Sequence, residues 1–294
     1  MTSLLIFTPT WTVHGQDAIV DECRASIEAQ RIDGAITWVI GRENPYRAPD
    51  HRNVLPQYRA ARDLFLAGAY DALLTVEHDN VLPDAGAAQR LLDTRLAPGG
   101  MSADVVYAPY LLRPRPPVLS TWRYVNDRAL GKSLSYYPQA LARARAAGVA
   151  RVCGAGFGCT LFRRRVLEAI EFGPSSGRNP CPDLGFAEAA LRAGFVSAAR
   201  FDVPVGHLVR GRRLSPFAGE WTMVYQAVRD VDVTAAGRSL HLAAGRAYEL
   251  TEDEVADLTR QGYIGPAERE AASEEARERV KGRRANRAKT LAQD

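Results

Sequence analysis

Lysine is almost missing from this chain. Three of its 38 basic residues are lysine (Lys132, Lys281 and Lys289) and the rest are arginine. With the abundance of alanine, that points to a GC-rich coding sequence rather than to a function. Cysteine is scarce too. The four thiols (Cys23, Cys153, Cys159 and Cys181) contain no C-x-x-C pair, which argues against a zinc knuckle or a disulfide scaffold. They read as small buried hydrophobes in a reducing compartment. No apolar run approaches the roughly 20 residues that a bilayer span needs, and Leu4 to Thr8 is too short for a signal-peptide core. The expectation is a cytoplasmic protein with no membrane span. A dominant charge is also lacking. The net +4 is matched by residues 281–294, where five basic side chains face Asp294, so the other 280 residues carry 33 groups of each sign. This balance excludes a globally basic nucleic-acid coat and leaves only a basic tail.

What is present in quantity is apolar residue in a repeating order. With 294 residues, 46% of them hydrophobic, the chain is long enough for a full core and an appendage. Leu4-Leu5-Ile6-Phe7 reads as a buried strand that stops at Thr8-Pro9-Thr10. Ile19, Cys23 and Ile27 form a helical stripe, and Ala35 to Ile40 is a second buried strand closed by Gly41. Val54, Tyr58, Ala61 and Phe65 mark a second helix ended by Gly68; Ala72 to Val76 is a third strand. Asp84 is placed to cap a helix carrying Ala88, Leu91 and Leu92, and Val105 to Ala108 is a fourth strand. Such alternation predicts a mostly parallel sheet covered on both faces, with ligands beyond the carboxyl ends of its strands.

Later segments are less regular. From Pro109 to Ala150 a proline-rich and aromatic stretch (Pro114, Pro116, Pro117, Trp122, Tyr124, Tyr136, Tyr137) reads as a packed loop or a binding lip. Gly154, Gly156 and Gly158 make a glycine-rich turn leading to a helix around Arg164–Ile170; another helix covers Phe186 to Arg192, ended by Gly194. A strand near Phe195–Ala199 precedes the segment that contains His207. Residues 231–250 alternate as a small β-hairpin unit would, and Thr251 with Glu254 fits a capping box. Beyond Pro266 the chain has too few large apolar residues to bury a core. The expected organisation is a main domain over residues 1–210, a small β/α extension over 211–265 and a charged tail over 266–294.

The chemistry-bearing stretch is Glu77-His78-Asp79 at the mouth of the third strand. Two acidic residues separated by one lie on the same side of an extended chain and can share a hard divalent cation, which takes oxygen ligands and substrate phosphates. On its own, the same pair also reads as a turn or a helix cap.

An ordered set of motifs extends this reading. Thr8-Pro9-Thr10 ends the first strand, and Tyr58-Arg59-Ala60-Ala61 leads into Glu77-His78-Asp79-Asn80-Val81-Leu82-Pro83. Gly154-Ala155-Gly156-Phe157-Gly158, Cys181-Pro182-Asp183-Leu184-Gly185-Phe186 and His207 then follow in turn. Over residues 1–210 the chain resembles the nucleotide-sugar glycosyltransferases of the GT-A fold, particularly the inverting family 2. The resemblance implies a Rossmann-like α/β domain with a small C-terminal β/α extension, acting on a UDP- or GDP-sugar with Mn²⁺ or Mg²⁺.

It also implies roles for individual residues. Asp79 resembles the aspartate that binds the cation of the donor diphosphate, and His207 the late histidine that completes the metal site. Glu77 replaces the family's first aspartate, with one more methylene, at a position that meets ribose or metal. Asp183 resembles the catalytic base, here a single carboxylate because Pro182 precedes it. Thr8, Thr10, Glu43 and Arg59 lie where the family holds the nucleotide, and Arg210 with Arg212 and Arg213 where a basic loop closes over the diphosphate. Gly156 and Trp122 fall on the acceptor side, and the acceptor is a glycan, a protein or modified DNA. Read without the resemblance, Asp79 and Asp183 are helix caps, His207 a packed histidine, Arg59 a helix-surface arginine and Arg210 part of a solvated linker. The functional alternatives are a non-catalytic binding or structural module of the same fold and a DNA-modifying variant of the main reading. A nucleotidyltransferase is disfavoured, because Thr8 to Gly15 is not the glycine-rich loop that would wrap a triphosphate.

Overall fold

The first strand shows how this sequence builds its core. Along Thr2–Pro9, Leu5 and Phe7 enter one hydrophobic cluster while Leu4 and Ile6 enter another, because successive side chains take opposite faces of a strand. Both faces are covered, which is why the run is continuously apolar rather than alternating. In the computed structural model the described residues are 2–10, 12–13, 16–42, 44–46, 51–96, 100–112, 118–123, 133–174, 182–209, 212–217, 225–227, 231–235, 238–242, 247–248, 257–258, 260–261 and 263–265.

In chain order, β1 (Thr2–Pro9) is followed by the short pair β2 (Thr12–Val13) and β3 (Gln16–Asp17), then α1 (Asp21–Glu28) and β4 (Gly34–Gly41). Next come α2 (Val54–Ala67), β5 (Ala72–Val76), β6 (Asn80–Val81), α3 (Ala87–Leu92), β7 (Val105–Tyr107) and β8 (Thr121–Trp122). These lead to α4 (Pro138–Ala147), β9 (Val149–Arg151), β10 (Gly154–Ala155), β11 (Cys159–Arg163), α5 (Arg164–Ala169) and α6 (Pro182–Arg192). After them run β12 (Ser197–Arg200), β13 (Gly206–Val209) and β14 (Arg212–Leu214). The remaining strands are β15 (Tyr225–Ala227), β16 (Val231–Ala235), β17 (Arg238–Leu242), β18 (Ala247–Tyr248) and β19 (Ile264–Gly265).

The chain divides into two compact units, residues 1–134 with 139–221, and residues 135–138 with 222–294. The first holds a seven-stranded sheet in the order β4-β1-β5-β11-β7-β12-β9. Five of its seven strands point the same way; β11 is inserted antiparallel between β5 and β7, and β9 runs antiparallel at one edge. The fold is thus α/β with a large, mostly parallel central sheet, as predicted. The antiparallel β11 was not legible, because Cys159–Arg163 is too short a run to reveal its direction. Its insertion matters: the amino end of β11 arrives at the same edge of the sheet as the carboxyl ends of β1 and β5.

Helices cover both faces. One cluster takes Tyr58, Ala61 and Phe65 of α2, Val166 and Leu167 of α5, and Phe186 and Ala190 of α6. The other takes Cys23 and Ile27 of α1 with Ala87, Ala88, Leu91 and Leu92 of α3. The side chain of Gln30 ties α1 to α3, its amide donating to the carbonyls of Ser26 and Asp84 and its oxygen accepting from the Ala88 N–H. Asp84 itself is not the cap of α3. That position is Gly86, while Asp84 accepts from the Gly86 N–H and pairs with Arg90, two residues outside the helix. Helix α6 closes as its sequence predicts. Gly194 adopts φ +78°, its N–H reaches the Leu191 carbonyl and the Phe195 N–H the Ala190 carbonyl, a double bond pattern that a left-handed glycine permits.

In the second unit, β16 and β17 form an antiparallel hairpin with Val231 opposite Leu242, and β15 pairs with both β18 and β19. The hairpin agrees with the alternation read in the sequence. The capping box at Thr251 and Glu254 and the tail from residue 266 lie outside the described residues.

The α2/α5/α6 side of the sheet is centred on rings. Phe172, fully buried, stands 5.0 Å from Phe186, 5.4 Å from Tyr58, 5.5 Å from Phe162 and 5.6 Å from Phe157, centroid to centroid. Phe172→Ala is expected to destabilise the protein by about 3–5 kcal/mol in urea unfolding, and a loss below about 1 kcal/mol would show that the ring cluster does not hold this layer together.

Candidate active site

At the carboxyl end of β5 the chain reverses. The Glu77 N–H donates to the Gly158 carbonyl at 2.8 Å, and the Asn80 N–H donates to the Glu77 carbonyl at 3.0 Å, so Glu77–Asn80 is a closed turn. Aspartate and asparagine favour such a reversal, and two of them sit in it. This corrects the expectation that Glu77 and Asp79 share one side of an extended strand. The turn sends the two carboxylates to different neighbours, yet leaves them close enough to repel each other.

Glu77 goes inward, under α2. Tyr58 Oη lies 3.3 Å from Glu77 Oε1 and 3.3 Å from the Phe157 carbonyl, so its hydrogen is shared between two acceptors. The residue as a whole is half-buried, but its carboxylate is walled in. Loss of hydration pushes its pKa up to about 7, the negative charges of Asp79 and Asp183 push the same way, and His207 and the Tyr58 hydroxyl oppose. Tyr58 and Tyr110 are pushed well above the usual tyrosine range, first by burial and then by the carboxylates around them, so both remain phenols. Cys23 donates to the Glu77 carbonyl at 3.4 Å, and burial pushes its thiol up to about 12. It is packing, not a nucleophile.

Asp79 crosses to β13. The ladder that places it is short: Asn80 pairs with His207 and Val81 with Gly206, and the Leu208 N–H donates to the Asp79 carbonyl at 2.8 Å. Asp79 and His207 are each 5% exposed. Asn80 Nδ2 donates to Asp79 Oδ1 at 3.2 Å, while Asp79 Oδ2 lies 3.4 Å from His207 Nε2 and 4.0 Å from His78 Nε2. The other ring nitrogen of His207 is 2.6 Å from the Leu111 carbonyl. A carbonyl only accepts, so Nδ1 carries a hydrogen and donates it to Leu111, which leaves Nε2 turned toward Asp79. A carboxylate oxygen and an imidazole nitrogen therefore face one another. That arrangement asks for a proton or a cation between them.

Asp183 lies in the first turn of α6, which opens with Pro182, a residue suited to that position. It is therefore inside the helix rather than at its cap. Its Oδ1 accepts from the Leu184 N–H at 2.8 Å, and a carboxylate there is favoured by the helix dipole. Gly156 sits between Asp183 and Tyr110: a Cβ on it would come within 2.2 Å of the Tyr110 hydroxyl and 3.6 Å of Asp183 Oδ2. Only glycine fits. Thus Glu77, Asp79, Asp183, His207 and Gly156, all singled out from sequence, gather at one edge of the sheet. Tyr58, Tyr110 and Asn80 were missed. The signal for Tyr58 was its place in an apolar helical stripe, where a phenol hydroxyl needs a buried partner.

The remaining sequence candidates are elsewhere or engaged in other bonds. Thr8 and Thr10 end β1 as buried residues; the Thr8 hydroxyl accepts from Trp38 Nε1 at 3.0 Å, and the Thr10 carbonyl accepts from Gln57 and Asn44 side chains. Arg59 donates from Nε to the Phe172 carbonyl at 3.0 Å. It also lines a cavity of about 540 Å³ beyond the end of β4, with Arg42, Asn44 and Asp63. Trp122 pairs with Gly154 across β8 and β10. Glu43 and Arg210 lie outside the described residues. Another cavity, of about 620 Å³, opens at the opposite end of the sheet between Thr2, Asp104 and Arg163 and holds none of the candidates. Among the described residues no group of three or more His, Cys, Asp or Glu side chains is arranged to hold a metal ion. No helix among them is long and apolar enough to cross a membrane.

No family model and no curated protein matches the chain. Among solved structures it is similar to protein A197 from STIV, at 18% identity and a TM-score of 0.45, over 86% of this chain and 99% of that one. It is also similar to the mannosyltransferase PcManGT from Pyrobaculum calidifontis, solved with GDP-Man and Mn²⁺, at 13% identity and a TM-score of 0.40, over 66% of this chain and 53% of that one. A third likeness is to CMP:2-keto-3-deoxy-manno-octonic acid synthetase complexed with CTP, at 13% identity and a TM-score of 0.36, over 67% and 89% of the two chains. Likenesses this distant assign no chemistry to this chain.

The crowding of carboxylates has a consequence for stability. The folded-state pKa of Glu77 is raised from 4.5 to about 7. Its contribution to stability is therefore fully present below the unfolded value and is lost as pH rises through about 7. In metal-free buffer, Glu77→Gln is expected to melt at a higher temperature than the wild type at pH 8 and to lose that advantage at pH 5. A wild-type protein that gained stability relative to Glu77→Gln over the same interval would contradict the assignment.

Proposed function

We propose that this chain is a metal-dependent glycosyltransferase that moves a sugar from a nucleotide-sugar donor to a hydroxyl acceptor with inversion. What supports the reading most is the pair formed by Asp79 Oδ2 and His207 Nε2, 3.4 Å apart, with the far side of the imidazole committed to the Leu111 carbonyl. A carboxylate oxygen and an imidazole nitrogen at that separation suit neighbouring positions on a Mn²⁺ or Mg²⁺ ion. Asp79 and His207 would hold the ion, with Glu77 close by, leaving its other positions to water and to the donor's phosphates. Once bound, it would neutralise the charge that develops on the departing diphosphate.

The other roles follow from placement. Asp183 is half-buried at the helix start and reaches the space beside Gly156. As the acceptor oxygen bonds to the anomeric carbon, the bond from that carbon to the diphosphate oxygen breaks on the opposite face, and the acceptor's proton passes to the Asp183 carboxylate. Gly156 leaves room for the Tyr110 hydroxyl beside Asp183, and the acceptor is assigned to that side of the turn. The cavity lined by Arg42, Asn44 and Arg59 is where the nucleoside end of a UDP- or GDP-sugar is assigned, with Thr8, Thr10 and Glu43 nearby in the sequence motif. Arg210 is assigned to the diphosphate and Trp122 to the acceptor, which is a glycan, a protein or modified DNA.

A ligand that binds only the folded state raises its melting temperature, so a panel of UDP- and GDP-sugars screened with Mn²⁺ by thermal shift tests the reading. A Mn²⁺-dependent shift is expected with at least one donor and is expected to vanish in Asp79→Asn. With that donor, Asp183→Asn is expected to lower release of nucleoside diphosphate by about 10²–10⁴-fold while leaving the shift in place. Binding without turnover under any acceptor would instead favour a non-catalytic module. A wild type indifferent to Mn²⁺ and to every donor would overturn the proposal.

A further inference from the structure

The loop after β7 does more than connect. Two of its consecutive residues touch His207: the Leu111 carbonyl takes the Nδ1 hydrogen, and the Tyr110 ring stands edge-on to the imidazole, at 5.4 Å and 82°. Tyr110 is itself held from several sides. Its N–H donates to Ser120 Oγ at 3.2 Å, and its carbonyl accepts from the Ser120 N–H at 2.9 Å. The next anchors are the Val205 N–H on the Pro109 carbonyl and the Gly156 N–H on the Ser120 carbonyl. The phenol end rests on the glycine-rich turn at Gly156 and Gly158. A Cβ at Gly158 would come within 2.7 Å of the ring, and one at Gly156 within 2.2 Å of the hydroxyl. Both glycines therefore leave room for this one side chain, which is 5% exposed.

We propose that Tyr110 is the positioning residue for His207: its ring, seated on the Gly156–Gly158 turn, fixes the imidazole so that Nε2 faces Asp79. This rests on the reading of Asp79 and His207 as a cation-binding pair. Leu111 alone fixes which nitrogen carries the hydrogen but leaves the ring free to swing about that bond. The Tyr110 ring, packed edge-on against the imidazole, removes that freedom. Tyr110 also carries information across the site, because anything that shifts the Gly156–Gly158 turn beside Asp183 must shift the ring that supports His207. Tyr110 touches neither cation nor substrate in this account; it acts through His207.

The test uses the full chain and Mn²⁺ alone, followed by electron paramagnetic resonance at pH 7.5, with imidazole ¹⁵N spectra of His207 in metal-free protein. Tyr110→Leu is expected to weaken Mn²⁺ binding by about 10–100-fold, while Tyr110→Phe, which keeps the ring, stays within about threefold of wild type. Gly156→Ala, whose new methyl would displace the hydroxyl, is expected to weaken binding as Tyr110→Leu does. It serves as the second variant if Tyr110→Leu fails to fold. In both weakened variants the His207 resonances are expected to move away from their wild-type positions. If wild type takes up no Mn²⁺, or Asp79→Asn takes it up equally well, the metal reading fails and the His207 spectra alone decide the role of Tyr110. Mn²⁺ affinity and His207 spectra that remain at wild-type values in both Tyr110→Leu and Gly156→Ala would overturn the inference.

Discussion

The site turns on the close approach of a buried carboxylate oxygen and a buried imidazole nitrogen. His207 Nε2 and Asp79 Oδ2 stand 3.4 Å apart among residues that exclude most water, and the imidazole hydrogen has already been given to the Leu111 carbonyl. Electrostatic interactions strengthen where water is scarce, so such a pair needs a positive charge shared between its atoms, a proton or a cation. Several features that are unremarkable singly are explained by this need. The two-residue ladder of β6 with β13 exists to bring Asn80 opposite His207, and Asn80 in turn takes one oxygen of Asp79 so that the other is directed at the ring.

Around that pair the fold concentrates negative charge. Glu77 and Asp79 come from the turn that follows β5, and Asp183 from the first turn of α6. They meet because β11 runs against its neighbours and returns the Gly154–Gly158 segment to the edge where β5 ends. Burial first, and then the two neighbouring carboxylates, push the Glu77 pKa up to about 7, and two phenols stay protonated beside it. In the proposed function, a cation bound together with a diphosphate would share out this negative charge.

Much of this was legible in the sequence, for definite reasons. Strands buried on both faces are continuous apolar runs, so β1 and β5 declared themselves, and the helical stripe at Val54, Tyr58, Ala61 and Phe65 gave α2. Asp79 and His207 were marked by the ordered motifs of the family resemblance; alone, the acidic pair also read as a turn or cap and the histidine as a packed residue. Other features depend on tertiary context. The direction of β11 is not encoded in five residues, and the turn at Glu77–Asn80 depends on a hydrogen bond to Gly158, some eighty positions away in sequence. Tyr110 lies in an irregular loop with no periodicity, and its importance comes entirely from what it touches. Asp84 looked like a helix cap because aspartate usually is one; here the Arg90 guanidinium claims it instead.

The central claim, that Asp79 and His207 are built to share a cation, is tested most directly by diffraction from crystals of the intact chain grown with Mn²⁺, recorded near the manganese absorption edge. The account predicts an anomalous peak within bonding distance of both Asp79 Oδ2 and His207 Nε2, with the Leu111 carbonyl still on Nδ1. A map with no peak there, or with a proton-length contact directly joining the two side chains in the presence of the metal, would contradict it.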